Sequence, residues 1–107
     1  ALGTVATGFI TFATGIGNSN TTYYAIHNQG TAEWEVGLGT LDGTSANLAR
    51  TTVLDNSDGN TSPITLSGGT KDVFCTLPAA KAVYLDSSDD PVGAASAGFA
   101  LAMAVAL

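Results

Sequence analysis

The chain has 107 residues, a length that suits one domain with its own hydrophobic core. Only 11% of the residues are charged, and nine acidic against three basic side chains give a net charge of −6. Because the three bases are widely spaced, the composition argues against binding to nucleic acid and against attachment to an anionic membrane.

Most of the remaining polarity comes from Thr, Ser, Gly and Asn, residues typical of strands joined by tight turns. Turn signals recur at residues 15–20, 28–30, 42–43, 55–60, 68–69 and 86–91. This spacing predicts an all-β fold, a small antiparallel β-sandwich or barrel of about seven or eight short strands. We expect the domain to cover residues 1–92 and an apolar C-terminal segment to cover residues 93–107.

The first strands are expected at residues 8–13, 21–27 and 32–38, which are rich in aromatic and β-branched residues. The short link at 28–31 predicts a β-hairpin between the second and third of these strands. Strict alternation in the third strand predicts Trp34 as a core anchor, with Glu33 and Glu35 facing solvent.

Later strands are expected at 48–54, 64–66, 72–77 and 82–85. The run at 48–54 alternates poorly, which favours an edge strand. Pro78 follows Leu77 and should end the strand before it, because proline cannot donate to a β-ladder.

The C-terminal segment alternates large apolar residues with alanine over nine residues. A strand with this pattern is apolar on both faces, and a helix would be apolar all round, so both interpretations require burial. One reading makes it a core strand of the same domain, and the other makes it a contact with a neighbouring chain. We expect the second, with these contact residues: Phe99, Leu101, Met103, Val105 and Leu107.

The sequence offers few groups for catalysis. His27 is the only histidine and is expected at the surface or rim, while Cys75 is expected to be a buried, inert thiol that has no partner for an intrachain disulfide. No motif for a serine nucleophile, a zinc site or a phosphate loop is present. We therefore expect a protein that is not an enzyme and has no cofactor.

Three weaker possibilities remain open. The acidic turns at 55–60 and 86–90 have oxygen ligands of the kind calcium prefers, although solvated turns are the favoured interpretation. Glu33 and Glu35 share a strand face at a spacing compatible with an inverting glycosidase. Tyr23 beside Asn28 is a candidate glycan contact, since aromatic rings stack on sugars.

Several of these segments resemble, in order and spacing, a region near the N-termini of tail-fibre-like and other virion structural proteins of tailed bacteriophages. The resemblance covers most of residues 3–86 and rests on TGFITF at 7–12, GNSNTTYYAI at 17–26, EWEVGLGT at 33–40, LARTTVL at 48–54, GTKDVF at 69–74 and KAVYLD at 81–86. From residue 92 onward the chain departs from that pattern, in which a longer fibre usually follows.

The resemblance implies a structural subunit present in many copies in a virion, assembled in the bacterial cytoplasm, and it transfers no catalytic residue. It predicts docking of a tail fibre or accessory protein to the particle through packing and strand pairing, with other virion proteins and copies of itself as partners. A capsid decoration or cement protein and a carbohydrate-binding adhesin module are the alternatives.

Overall fold

A computed structural model describes residues 1–93 of the chain. The fold divides into two compact units, one covering Ala1–Leu77 and one beginning at Pro78. The described elements are α1 (Phe12–Gly15), β1 (Thr21–Asn28), β2 (Trp34–Leu41), β3 (Leu48–Asn56), β4 (Lys71–Phe74), a 3-10 helix (Ala79–Lys81), β5 (Tyr84–Leu85) and β6 (Pro91–Val92).

The first unit contains a four-stranded antiparallel sheet in the order β3-β2-β1-β4. The predicted hairpin is confirmed: β1 and β2 pair from Thr21 opposite Thr40 to His27 opposite Trp34. The edge position predicted for residues 48–54 is confirmed as well, since β3 is an outer strand. In the second unit, β5 and β6 form a separate two-stranded sheet.

The predicted antiparallel β character is therefore confirmed, but the described residues do not confirm seven or eight strands. Residues 1–93 contain six strands in two open sheets, with no closed barrel among them. The sequence suggested more strands because several apolar segments carry the strand composition without adopting the conformation. The C-terminal strand predicted at 99–107 lies outside the described residues.

Two predicted strands are absent from the described structure. Residues 8–13 were expected to be extended, but α1 begins inside them, with the Thr11 side chain accepting a hydrogen bond from the Thr14 amide at 3.1 Å as an N-cap. Residues 64–66 form no strand either. The strands predicted at 72–77 and 82–85 are shorter, ending at Phe74 and beginning at Tyr84.

The link between β3 and β4 covers one face of the sheet. Because these strands lie at opposite edges, residues 57–70 must cross from one side of the sheet to the other. We call this segment the strap, the face beneath it the strapped face and the opposite one the open face. Ile64 is the buried side chain of the strap, at 5% exposure.

Asn56 shapes the beginning of the strap. Its Oδ1 accepts hydrogen bonds from the amides of Asp58 and Asn60, and its Nδ2 donates to the Ser62 carbonyl at 2.6 Å. These bonds turn the chain back over the sheet directly after β3. Asn56 is 2% exposed, and its side-chain amide makes the hydrogen bonds that these backbone groups would otherwise make with water.

Two glycines of β2 make room for the ring of Tyr24 on the strapped face. A Cβ on Gly37 would lie 2.4 Å from the Thr52 carbonyl oxygen and 2.9 Å from the Tyr24 hydroxyl. A Cβ on Gly39 would lie 2.7 Å from the Leu48 side chain. The ring therefore packs on bare backbone, which explains how a fully buried tyrosine fits within one sheet.

We expect Gly37→Ala to lower the free energy of unfolding by about 1–3 kcal/mol, because the new methyl group meets a backbone carbonyl that cannot move aside cheaply. Urea denaturation followed by far-UV circular dichroism measures the change. Gly43→Ala is the matched control, since a Cβ there meets nothing within 4 Å. Equal stability of the two variants would contradict this packing.

Candidate interaction surface

Glu35 is the central group of the strapped face. Its carboxylate is fully buried and accepts hydrogen bonds from the Tyr24 hydroxyl at 2.7 Å, the Arg50 guanidinium at 2.9 Å and the Ile64 amide at 3.0 Å. The Arg50 contact is also a salt bridge. The prediction that Glu35 faces solvent is therefore wrong: the charge lies under the strap, where donors on three segments replace water.

Glu33 holds the next part of the strap. Its carboxylate accepts hydrogen bonds from the Ser67 hydroxyl, from the Asn28 amide group at 2.7 Å and from the Ser67 backbone amide at 2.9 Å. These bonds, led by that of the Ser67 hydroxyl, lower the pKa of Glu33. Glu33 and Glu35 share a face as the sequence predicted, and both carboxylates accept hydrogen bonds from the strap.

Arg50 and Lys71 also bind backbone groups of the strap. Arg50 Nη1 donates to the Ile64 carbonyl at 2.8 Å, and Lys71 Nζ donates to the carbonyls of Ser67 and Gly69. A groove of about 240 Å³ lies beside them and is otherwise lined by Ala1, Leu2, Ile26, Leu48, Leu66 and Val73. Two of the chain's three bases thus stabilise the fold on this face.

Asn28 and Tyr23 lie on opposite faces of β1, because they are an odd number of residues apart. Asn28 is fully buried on the strapped face, whereas Tyr23 is half-buried on the open face. The structure does not bring the predicted glycan pair together. One Asn28 atom, Oδ1, is buried without a hydrogen-bond partner among the described residues.

The open face carries Trp34, which the sequence assigned to the core. Trp34 is 38% exposed and Phe74 is 47% exposed, so the prediction of Trp34 as a core anchor is wrong. Strand alternation gives the reason: with Glu33 and Glu35 directed at the strap, Trp34 must point the other way. The apolar side chains of this face are Tyr23, Ala25, Trp34, Val36, Leu38 and Phe74.

The register places these residues next to one another. Ala25 of β1 lies between Val36 of β2 and Phe74 of β4, and Tyr23 is opposite Leu38. Ala25 is the smallest of these side chains and is buried among its larger neighbours, at 8% exposure. Cross-strand neighbours at this separation form one continuous apolar surface.

Polar residues border this surface. His27 lies between Trp34 and Asp72 in the register, and Asp55 is opposite Val36. His27 is exposed, as the sequence predicted for a rim residue. An apolar centre with a polar border is the usual anatomy of a protein–protein interface.

Both outer strands have features that limit pairing with another strand. β3 is nine residues long but has two register irregularities against β2, and β4 has only four residues, beginning with the charged pair Lys71 and Asp72. Bulges, short length and charge at an edge discourage strand addition. The open face is therefore the stronger candidate contact than either edge.

Cys75 is exposed, with its sulfur 3.4 Å from the Thr22 hydroxyl oxygen, so the prediction of a buried thiol is wrong. The chain leaves β4 at Phe74, before the alternation that would have buried Cys75 takes effect.

The acidic turns are organised by their own side chains. Asp86 Oδ1 accepts hydrogen bonds from the amides of Ser88 at 2.8 Å and Asp90 at 3.0 Å, much as Asn56 does in the first turn. Within residues 1–93, no group of three or more His, Cys, Asp or Glu side chains is placed to hold a metal ion. No helix in that range has the length and apolar character needed to cross a membrane.

The predicted subunit-contact residues Phe99, Leu101, Met103, Val105 and Leu107 lie outside the described residues. Sequence reasoning missed the open face because it directed Trp34, Val36 and Leu38 to the interior and the glutamates between them to solvent. The available signal was the pair of glycines alternating with Val36 and Leu38: glycines on one face and large residues on the other show which face accepts a ring.

No protein-family model, curated protein or solved structure matches the chain.

At neutral pH the Tyr24 hydroxyl donates to Glu35, and burial, followed by this hydrogen bond and the charge of Glu35, raises its pKa well above the ordinary value of 10.0. Unfolded tyrosine ionises near pH 10, so the folded state binds more protons above that pH. The stability contributed by Tyr24 is therefore complete below pH 10 and is lost as the pH rises further.

We expect urea denaturation between pH 9 and pH 11, roughly on either side of the ordinary tyrosine pKa, to show a fall in stability that Tyr24→Phe makes shallower. The same variant should lose about 1–3 kcal/mol at pH 8 or so, because Glu35 loses a buried donor. Tyr84→Phe, at a tyrosine 52% exposed, is the control and should keep the original pH dependence. A Tyr24→Phe protein with the unaltered pH dependence would refute this assignment.

Proposed function

We propose that the chain is a non-enzymatic structural protein of a tailed-bacteriophage virion that docks a tail fibre or accessory protein to the particle. The observation that carries the proposal is the open apolar face of a sheet whose other face is sealed by its own strap. A half-covered sheet of this kind is suited to assembly, since a partner that packs on it completes a two-layer structure.

The composition of the open face supports docking. Three of its apolar residues are aromatic, and aromatic residues are enriched in the cores of protein interfaces. Exposed contiguous apolar surface on a small domain usually marks an interaction site. The carboxylates on which a hydrolase hypothesis rested are engaged by the strap instead.

A capsid decoration or cement protein would use the same surface in the same way, and the two roles differ only in the part of the particle that is bound. In either role the chain is built into the virion in repeated copies. Mass spectrometry of purified particles of the encoding virus should find it at a fixed stoichiometry. Its absence from intact particles would overturn both roles.

A carbohydrate-binding adhesin is the second candidate, because Trp34 and Phe74 are exposed on the same face of one sheet. Aromatic rings in such a position can stack on sugar rings. A glycan array separates the two classes: a docking subunit gives no sugar-specific signal, whereas an adhesin gives a signal that Tyr23→Ala and Trp34→Ala reduce.

We expect the purified full chain to self-associate at micromolar concentration and Phe74→Glu to weaken this association roughly tenfold or more, because the new charge would be buried in the contact. Sedimentation equilibrium measures the change. Phe9→Glu is a matched control, since Phe9 is 73% exposed and lies outside the sheet. Loss of association in both variants, or in neither, would refute docking through the open face.

A further inference from the structure

We propose that the open face binds residues 99–107 of another copy of the chain, so that subunits are joined by a C-terminal apolar segment packed on a neighbour's sheet. This inference rests on the proposed docking function and names the partner for the same surface. Residues 94–107 lie outside the described structure, and their side chains are given by the sequence.

Charge favours residues 99–107 of a neighbouring copy, over the open face of that copy, as the partner of the open face. The chain has a net charge of −6, and Asp55 and Asp72 border the open face. Two open faces packed against each other would bring both acidic borders into one interface, where like charges repel. Residues 93–107 contain no charged side chain, so the side chains of this segment add no charge to the contact.

Side-chain size also fits. In an extended conformation, residues 99, 101, 103, 105 and 107 point to one side, and all five are large and apolar. On the open face, the small side chain of Ala25 lies between Val36 and Phe74 in the register, and Tyr23 and Trp34 belong to neighbouring pairs. A row of flexible side chains such as Leu101 and Met103 can fill such a surface without displacing aromatic groups.

Length gives a third argument. Nine extended residues span roughly 30 Å at about 3.3 Å per residue. The eight-residue strands β1 and β2 that form the centre of the sheet have nearly the same length. One segment can therefore follow a complete strand of the open face, covering it from end to end.

The test uses the full chain throughout. Leu101→Ser removes a large side chain from the proposed contact row, whereas Ala102→Ser changes a neighbour that points the other way. We expect Leu101→Ser to weaken self-association in sedimentation equilibrium roughly ten- to hundredfold, the usual effect of losing one buried leucine. Ala102→Ser should associate like the original chain.

The fluorescence emission of Trp34 is an independent measure of the contact, because Trp34 is the only tryptophan of the chain and lies on the open face. The emission should shift to longer wavelength on dilution, because the neighbour's segment dissociates and water reaches the indole. In Leu101→Ser the shift should occur at correspondingly higher concentration.

A mixing experiment tests whether the contact is formed between copies. Phe74→Glu damages the face but keeps the segment, and Leu101→Ser damages the segment but keeps the face. Each variant should be mainly monomeric alone. An equal mixture should associate, because the intact segment of the Phe74→Glu protein can bind the intact open face of the Leu101→Ser protein. A mixture that stays monomeric would overturn the proposal.

The remaining outcomes separate this inference from the proposed function. If Leu101→Ser associates as strongly as Ala102→Ser while Phe74→Glu still dissociates the protein, residues 99–107 do not bind the open face. Docking through the open face would then remain supported. If the original chain is monomeric at all concentrations, both this inference and self-association through the open face are wrong.

Discussion

The structure depends on one buried carboxylate. Glu35 is fully buried, and a charge in that position is tolerated only when hydrogen bonds replace the water it has lost. Donors from β1, β3 and the strap supply them through Tyr24, Arg50 and Ile64. Because one donor is the backbone amide of Ile64, the carboxylate determines where the strap crosses the sheet. The same face also holds most of the buried apolar side chains, including Tyr24, Leu41 and Ile64.

This arrangement also determines the surface available to partners. Side chains of a strand alternate between its faces, so directing Glu35 at the strap sends Trp34 and Val36 to the other side. Phe74 joins them from β4 through the pairing with Ala25. The register of the strands therefore determines both the interior of this small unit and its proposed docking surface. A one-residue shift in the register of a strand would move its side chains from one of these faces to the other. Under the proposed function, a bound partner would bury the apolar side chains of this second face.

Much of the local structure can be predicted from the sequence. Strand composition and the short link at 28–31 predict the hairpin, and weak alternation predicts the edge position of β3. The orientation of β2 cannot be predicted in the same way, because hydrophobicity alone assigns Trp34 to the core and Glu35 to water. The partners that reverse this assignment, Arg50 and Ile64, come from segments 15 and 29 residues away. Residues 64–66 look like a strand for the same reason: their apolar side chains are needed for covering the sheet, not for pairing.

The most direct test of the account is amide hydrogen exchange at Ile64 in the full chain, followed by NMR. Ile64 lies in a segment without regular secondary structure, where amides ordinarily exchange quickly, yet its N–H donates to a buried carboxylate. We expect the Ile64 amide to be protected nearly as well as the central amides of β1 and β2. Glu35→Gln should lower this protection more than Glu33→Gln does. Rapid exchange at Ile64 in the unaltered chain would contradict the central role of Glu35.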